Sequence, residues 1–240
     1  MIKWLEDAVF YEVYPQSFRD SNGDGIGDIP GITEKLEYIQ ELGCNALWIN
    51  PCFTSPFYDA GYDVEDYYSV APRYGTNEDL KKLFEAAHQR GMHVLLDLVP
   101  GHTAVTHPWF QESMKAEKNE YTDRYVWTDS LYKRMEDVKG IVSVLRGISP
   151  RPASCGVNCF STQPALNYGF ANITDAGWQQ PTDAPGPMAT REELKNIMRF
   201  WLTLGCDGFR VDMAGSLVKN DEDKKETIRL WQDVRAFLNK

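Results

Sequence analysis

Basic residues are in short supply: 25 Lys and Arg stand against 35 Asp and Glu, a net charge of -10, with no clustered Lys/Arg tract. That balance excludes the electrostatic footprint of a nucleic-acid binder or of a protein held at an anionic membrane surface, and a neutral substrate suits it better. Long apolar runs are missing too. No stretch approaches bilayer-crossing length and no charged leader opens the chain, so the expected location is the cytoplasm. The five cysteines are scattered and odd in number, which argues against a disulfide framework. Cys155 and Cys159 in CGVNC are close enough in sequence to pair, although two loop thiols are the favoured expectation, and no ligand spacing or nearby histidine makes them a zinc site. A glycine fingerprint opening directly into a helix after the first strand is also absent, which disfavours a doubly wound nucleotide-binding sheet.

What is present is a repeated grammar in a chain whose apolar share, 42% of 240 residues, is ample for a packed core. In ELGCNALWIN, QRGMHVLLDL and TLGCDGFRVD an amphipathic helix ends at a glycine and an apolar strand follows, closing on a polar residue. Ile32, Leu36 and Ile39 make the first helical face, Leu80, Leu83, Phe84 and Ala87 the second, and Leu194, Ile197, Met198 and Trp201 the third. Thr190 and Glu193 have capping-box spacing ahead of that third stripe. Ala8 to Tyr14 reads as the first strand, and Ile228, Trp231, Val234 and Phe237 mark a last helix. Four βα units of this kind predict a parallel sheet covered by helices: an α/β fold, the first four units of an incomplete parallel (β/α)8 TIM barrel. From Pro100 to about Pro187 the grammar breaks, too long for an ordinary loop. The expected division is therefore barrel strands in 1–100, an inserted small domain in 101–187, and the third helix, fourth strand and fourth helix in 188–240.

Barrel chemistry collects at the carboxyl ends of the strands, where Asn50, Asp97, Arg210 and Asp212 fall. Strand alternation puts Arg210 and Asp212 of GFRVD on one side, so a guanidinium can keep a carboxylate ionised and aimed, as a glycosidic nucleophile requires; a structural salt bridge is the equally weighted alternative. Asp97 and His102 of DLVPGHT offer a strand-end acid and a loop imidazole, while Tyr62 and Asp63 of GYD offer an aromatic face and a carboxylate for a sugar. A lone histidine or loop tyrosine is more often plain packing.

Together, AVFYEVYPQSF, GCNALWINP, GYDVEDYY, DLVPGHT, QPALN and GFRVD, in this order and approximate spacing, resemble the α-amylase family of glycoside hydrolases over essentially the whole chain. The resemblance implies a retaining mechanism on α-glucosidic bonds of starch- or glycogen-derived oligosaccharides, with Asp212 as nucleophile and Arg210 as its positioning partner. It implies that His102 and Asp63 hydrogen-bond the sugar, that Tyr62 stacks on it, and that Asp97 supports the Arg210 neighbourhood. Three positions depart from relatives: Gly101 where many carry a calcium-binding asparagine, Ala165 where oligo-1,6-glucosidase-like members have aspartate, and Met213 where an α-1,6 preference goes with valine. Bond specificity stays open, leaning to α-1,4. The family's general acid follows a fifth strand and a further aspartate follows a seventh, so the chain reads as an N-terminal portion, inactive alone and completed by a missing C-terminal half or a homodimer. A transglycosylase or sucrose isomerase of the same family, or a non-catalytic amylase-like assembly partner, is the alternative.

DSNGDGIGD places Asp20, Asn22, Asp24, the Ile26 carbonyl and Asp28 at the spacing of a helix-loop-helix calcium loop, with Gly31 at its twelfth position instead of glutamate. A structural calcium ion is expected there; an Asx-rich turn without metal is the alternative.

Overall fold

The computed structural model describes residues 2–239. After a 3-10 turn come β1 (Phe10–Val13), α1 (Pro15–Phe18), α2 (Ile29–Glu34), α3 (Leu36–Glu41) and β2 (Ala46–Ile49). An antiparallel pair, β3 (Phe53–Thr54) and β4 (Asp66–Val70), precedes α4 (Asn77–Gln89) and β5 (His93–Leu98). The remainder is α5 (Pro108–Ser113), β6 (Ser143–Leu145), β7 (Cys155–Val157), α6 (Pro185–Leu204), β8 (Gly208–Val211) and α7 (Lys225–Leu238).

Strands β1, β2, β5 and β8 lie side by side in that order, every pairing parallel. Sequential parallel neighbours joined through helical connections are how a (β/α)8 barrel begins, and this sheet is its first half. Among the described residues no helix is long and apolar enough to cross a membrane.

The chain divides into two compact units. The first holds residues 1–54, 66–98 and 200–211, and therefore the whole four-stranded sheet. The second holds 55–65, 99–199 and 212–240, so the loop between β3 and β4 and everything from Asp212 onward group with the insertion, a different cut from boundaries at 100 and 187.

In the first unit, Thr76 and Asp79 close a reciprocal capping box at the start of α4, and Leu80, Leu83, Phe84 and Ala87 form its buried face as the periodicity predicts. Gly43 and Gly91 take left-handed φ values of 86° and 70° after their helices, conformations costly for a side chain. The single helix expected through Ile32, Leu36 and Ile39 is two helices, broken at Lys35 (φ -105°, ψ 9°), yet all three residues stay buried. Trp201 stacks on Phe53 with centroids 5.0 Å apart, and its indole N–H donates to the Tyr67 carbonyl at 2.8 Å. Asp207, just before β8, accepts the Val94 amide at 2.8 Å and meets the His88 and His93 rings at 2.8 and 2.9 Å. Burial pushes its carboxyl up, but these partners outweigh burial and hold it below the usual carboxylate range.

In the second unit, Val126, Met135, Val138, Ile141, Ala165 and Phe170 form a core of their own. Three local expectations are corrected here. Thr190 does not cap α6: the helix starts at Pro185, where a missing amide proton costs nothing, and the Thr190 hydroxyl donates back to the Gly186 carbonyl at 3.1 Å from inside it. In α7 the buried face is Thr227, Leu230 and Val234, one step round from the predicted stripe, leaving Ile228 exposed. Cys155 is no loop thiol but a buried member of β7, while Cys159 is exposed, and all five cysteines are free.

Candidate active site

Asp97 and Arg210 are direct partners across the parallel β5–β8 pair, so their side chains leave the sheet at one level. Arg210 Nη1 lies 3.1 and 3.2 Å from the two Asp97 oxygens, and Trp48 Nε1 donates to Asp97 Oδ2 at 3.0 Å. The guanidinium also sits over the Trp48 ring, 4.9 Å from its centroid. The Asp97 side chain is 0% exposed and that of Arg210 36%, so the pair runs from a buried anion to a cation that reaches solvent. A carboxylate without water needs both a counter-charge and hydrogen bonds, and Asp97 has them. Nearby, burial first and the Asp97 charge second push the Cys52 thiol up to about 12, which keeps it protonated and removes it as a nucleophile. Asn50, at the end of β2, donates to Glu12 at 3.1 Å.

Within the second unit, the loop between β3 and β4 is folded around Asp63. Its carboxylate is fully buried and accepts from Ser55 Oγ at 2.9 Å, Tyr58 N at 2.8 Å and Asp59 N at 3.2 Å. Tyr62, one residue earlier, is half-buried. His102 is buried, with Nε2 3.0 Å from the Tyr62 carbonyl and Nδ1 3.0 Å from Asn158 Nδ2. Burial lowers its pKa to about 4, against the opposing pull of the Tyr62 hydrogen bond and the Asp212 charge, so the ring is neutral at physiological pH. The segments around His102 and Ala165 are drawn together by an antiparallel bridge.

Asp212 follows β8 directly and is half-buried. Its field is felt at His102, Asp59 and Cys159, which puts these groups and the nucleophile candidate in one electrostatic neighbourhood. Met213 takes a left-handed φ of 45°, unusual for a side-chain-bearing residue, in a turn closed by Ser216 N and Oγ on its carbonyl. Four participants were not singled out in the sequence: Trp48, although it lies inside GCNALWINP, Asp59, Asn158 and Lys219. Asp59 is a half-buried carboxyl raised by burial, despite the Gln163 amide at 2.6 Å, and by the Asp63 and Asp212 charges. Only Lys219, a charge inside the apolar run SLVKN, left a signal that could have been read.

At the acidic loop, Asp20 accepts the amides of Asn22, Gly23 and Gly25 at 3.0, 2.7 and 2.8 Å, and these bonds, Gly25 and Gly23 foremost, hold its carboxyl low. Asp28 accepts Gly31 N at 2.7 Å and so caps α2. Gly31 cannot be a twelfth-position glutamate here, because any Cβ would collide with the Arg19 backbone. The donors are all oxygens, which suits a hard cation, yet among the described residues no three acidic, histidine or cysteine side chains are gathered closely enough to hold one.

A four-stranded parallel half-barrel with a strand-end Asp–Arg pair, and a carboxylate just past its fourth strand, defines the class of (β/α)8 barrel proteins. The description "Alpha amylase, catalytic domain" matches residues 12–237, and the chain belongs to the alpha-amylase family. It is 38% identical over 219 residues to an oligo-1,6-glucosidase of a Bacillus species, covering 91% of this chain and 40% of that one. It is 40% identical over 243 residues to a trehalose synthase/amylase of Mycolicibacterium smegmatis, covering 99% and 37%. The crystal structure of the trehalulose synthase MutB from Pseudomonas mesoacidophila superposes with a TM-score of 0.80 at 33% identity, over 98% of this chain and 43% of that one. The chain thus spans about two fifths of the length of these relatives.

Replacing Asp97 by alanine removes the acceptor of Trp48 and the anion under Arg210. The expected loss is about 2–3 kcal/mol of unfolding free energy in urea, and a loss under about 0.5 kcal/mol would show that the pair does not organise the strand ends.

Proposed function

We propose that this chain contributes the nucleophile side of a retaining active site that acts on α-glucosidic bonds of starch- or glycogen-derived oligosaccharides. The observation that carries this reading is Asp212, which follows β8 directly and whose charge is felt at His102 and Asp59. In this reading the Asp212 carboxylate attacks the anomeric carbon, with Arg210, two residues earlier in the chain, as its positioning partner. Tyr62, Asp63 and His102 shape the sugar subsite, and Asp97 holds Arg210. Transfer of the glucosyl group to a sugar hydroxyl instead of water is the second reading. It is favoured by relatives named trehalose synthase and trehalulose synthase. A non-catalytic assembly role is disfavoured by the retention of Asp212 and Arg210.

The 240 residues alone should turn over neither aryl α-glucosides nor maltooligosaccharides, because a nucleophile without a general acid expels a sugar leaving group poorly at neutral pH. Among the described residues β8 pairs only with β5, and its own residues are half-buried, so further barrel strands or a second copy of the chain would complete the sheet there. Turnover by the purified chain that Asp212→Asn abolishes would refute the claim of inactivity and place an acid within these residues.

The acidic loop is proposed to bind structural calcium through Asp20, Asn22, Asp24, the Ile26 carbonyl and Asp28, on the strength of its all-oxygen donor set. Calcium added to chelator-stripped protein should raise the melting temperature, with the shift lost in Asp20→Ala; no calorimetric heat at millimolar calcium would count against the site.

A further inference from the structure

Lys219 has no exposed surface, and its ammonium faces three oxygens: the carbonyls of Ser216 and Gly140 at 2.8 and 2.9 Å, and Asn158 Oδ1 at 3.4 Å. An ammonium only donates, so three acceptors match its three protons, and the side of Asn158 that faces it must be the oxygen. The opposite side of that amide then carries the donors. Its Nδ2 reaches the acceptor-only sulfur of Met213 at 3.7 Å and His102 Nδ1 at 3.0 Å. His102 Nδ1 must therefore be the bare, accepting nitrogen, which leaves the proton on Nε2, 3.0 Å from a Tyr62 carbonyl that can only accept.

We propose that Asn158, its amide oriented by Lys219, is a positioning residue that fixes the Nε2–H tautomer of His102 and through it anchors the backbone of the Tyr62–Asp63 loop. The chain has an obligate donor at one end, Lys219, and an obligate acceptor at the other, the Tyr62 carbonyl, so the protonation of the histidine is settled from the far end, by a lysine. Gly101 is part of the device. A Cβ at that position would come 2.6 Å from Asn158 Nδ2, so only glycine leaves the amide its place beside the ring. The same amide touches Met213, the residue after Asp212, and so ties the turn that carries the nucleophile candidate to the loop that carries Tyr62. What this means for sugar binding rests on the function proposed above; the tautomer does not.

The test is a long-range proton–nitrogen correlation spectrum of the full chain labelled with 15N-histidine, recorded below the lowered Lys219 pKa of about 7 and assigned by loss of the His102 signals in His102→Gln. The charges acting on the ring are Asp63, Asp212 and Lys219. The expected spectrum has a bare Nδ1 and a protonated Nε2. In Asn158→Asp an acceptor-only carboxylate faces Nδ1, so the ring should gain a second proton and titrate at least ~1 pH unit higher, a tenfold gain in proton affinity. Lys219→Met should free the amide to turn and populate the Nδ1–H form. A proton on Nδ1 of the unaltered chain, or an unmoved titration in a folded Asn158→Asp, overturns the assignment. The spectrum of the unaltered chain decides alone if the variants do not fold, and it needs no glycosidase activity, so its failure is separable from failure of the proposed function.

Discussion

The burial of Asp97 is the constraint on which the sheet end of this protein depends. A carboxylate with no exposed surface is tolerated only if its charge is answered on the spot, and the answer comes from two different strands, Trp48 on β2 and Arg210 on β8. That requirement fixes the register of β5 against β8, because a one-residue slip would turn one of the two side chains to the opposite face. It also holds Arg210 in a defined position over the Trp48 ring, two residues before the Asp212 carboxylate. The bonds that make burial of Asp97 tolerable also fix the position of the Arg210 guanidinium.

The second unit solves a related problem with neutral groups and a single cation. Buried lysine, asparagine and histidine side chains have their polarities matched end to end, and the last acceptor is a backbone carbonyl of the Tyr62–Asp63 loop. Asp63 meets that loop from inside through Ser55 and two amides. Tyr62 and Asp63 therefore stand on a loop held from both sides, the rigid support that the proposed sugar subsite would need.

Much of the architecture was legible because helix and strand periods and glycine terminators are local. Leu80, Leu83, Phe84 and Ala87 named the buried face of α4, and Gly43, Gly91 and Gly205 marked where helices stop. The local errors share a cause: competing signals of equal strength. Thr190 with Glu193 imitates a helix start, but Pro185 and Pro187 begin the helix earlier, and the apolar Ile228 is left outside because α7 turns Leu230 and Thr227 inward instead. At the site, motif residues could be named individually. Their partners could not, since Asn158 lies 56 residues from His102, and Trp48 lies 49 from Asp97. Such pairs follow from topology and from polarity matching in space, and no window of sequence contains them.

If Asp212 is the proposed nucleophile, it should react where no acid is needed. This is tested most directly with 5-fluoro-α-glucosyl fluoride, whose leaving group departs without protonation, followed by intact-mass analysis and peptide mapping. The account predicts one covalent glycosyl adduct per chain, located on Asp212 and absent from Asp212→Asn. An adduct on another residue, or none under conditions that label a full-length family member, would contradict it.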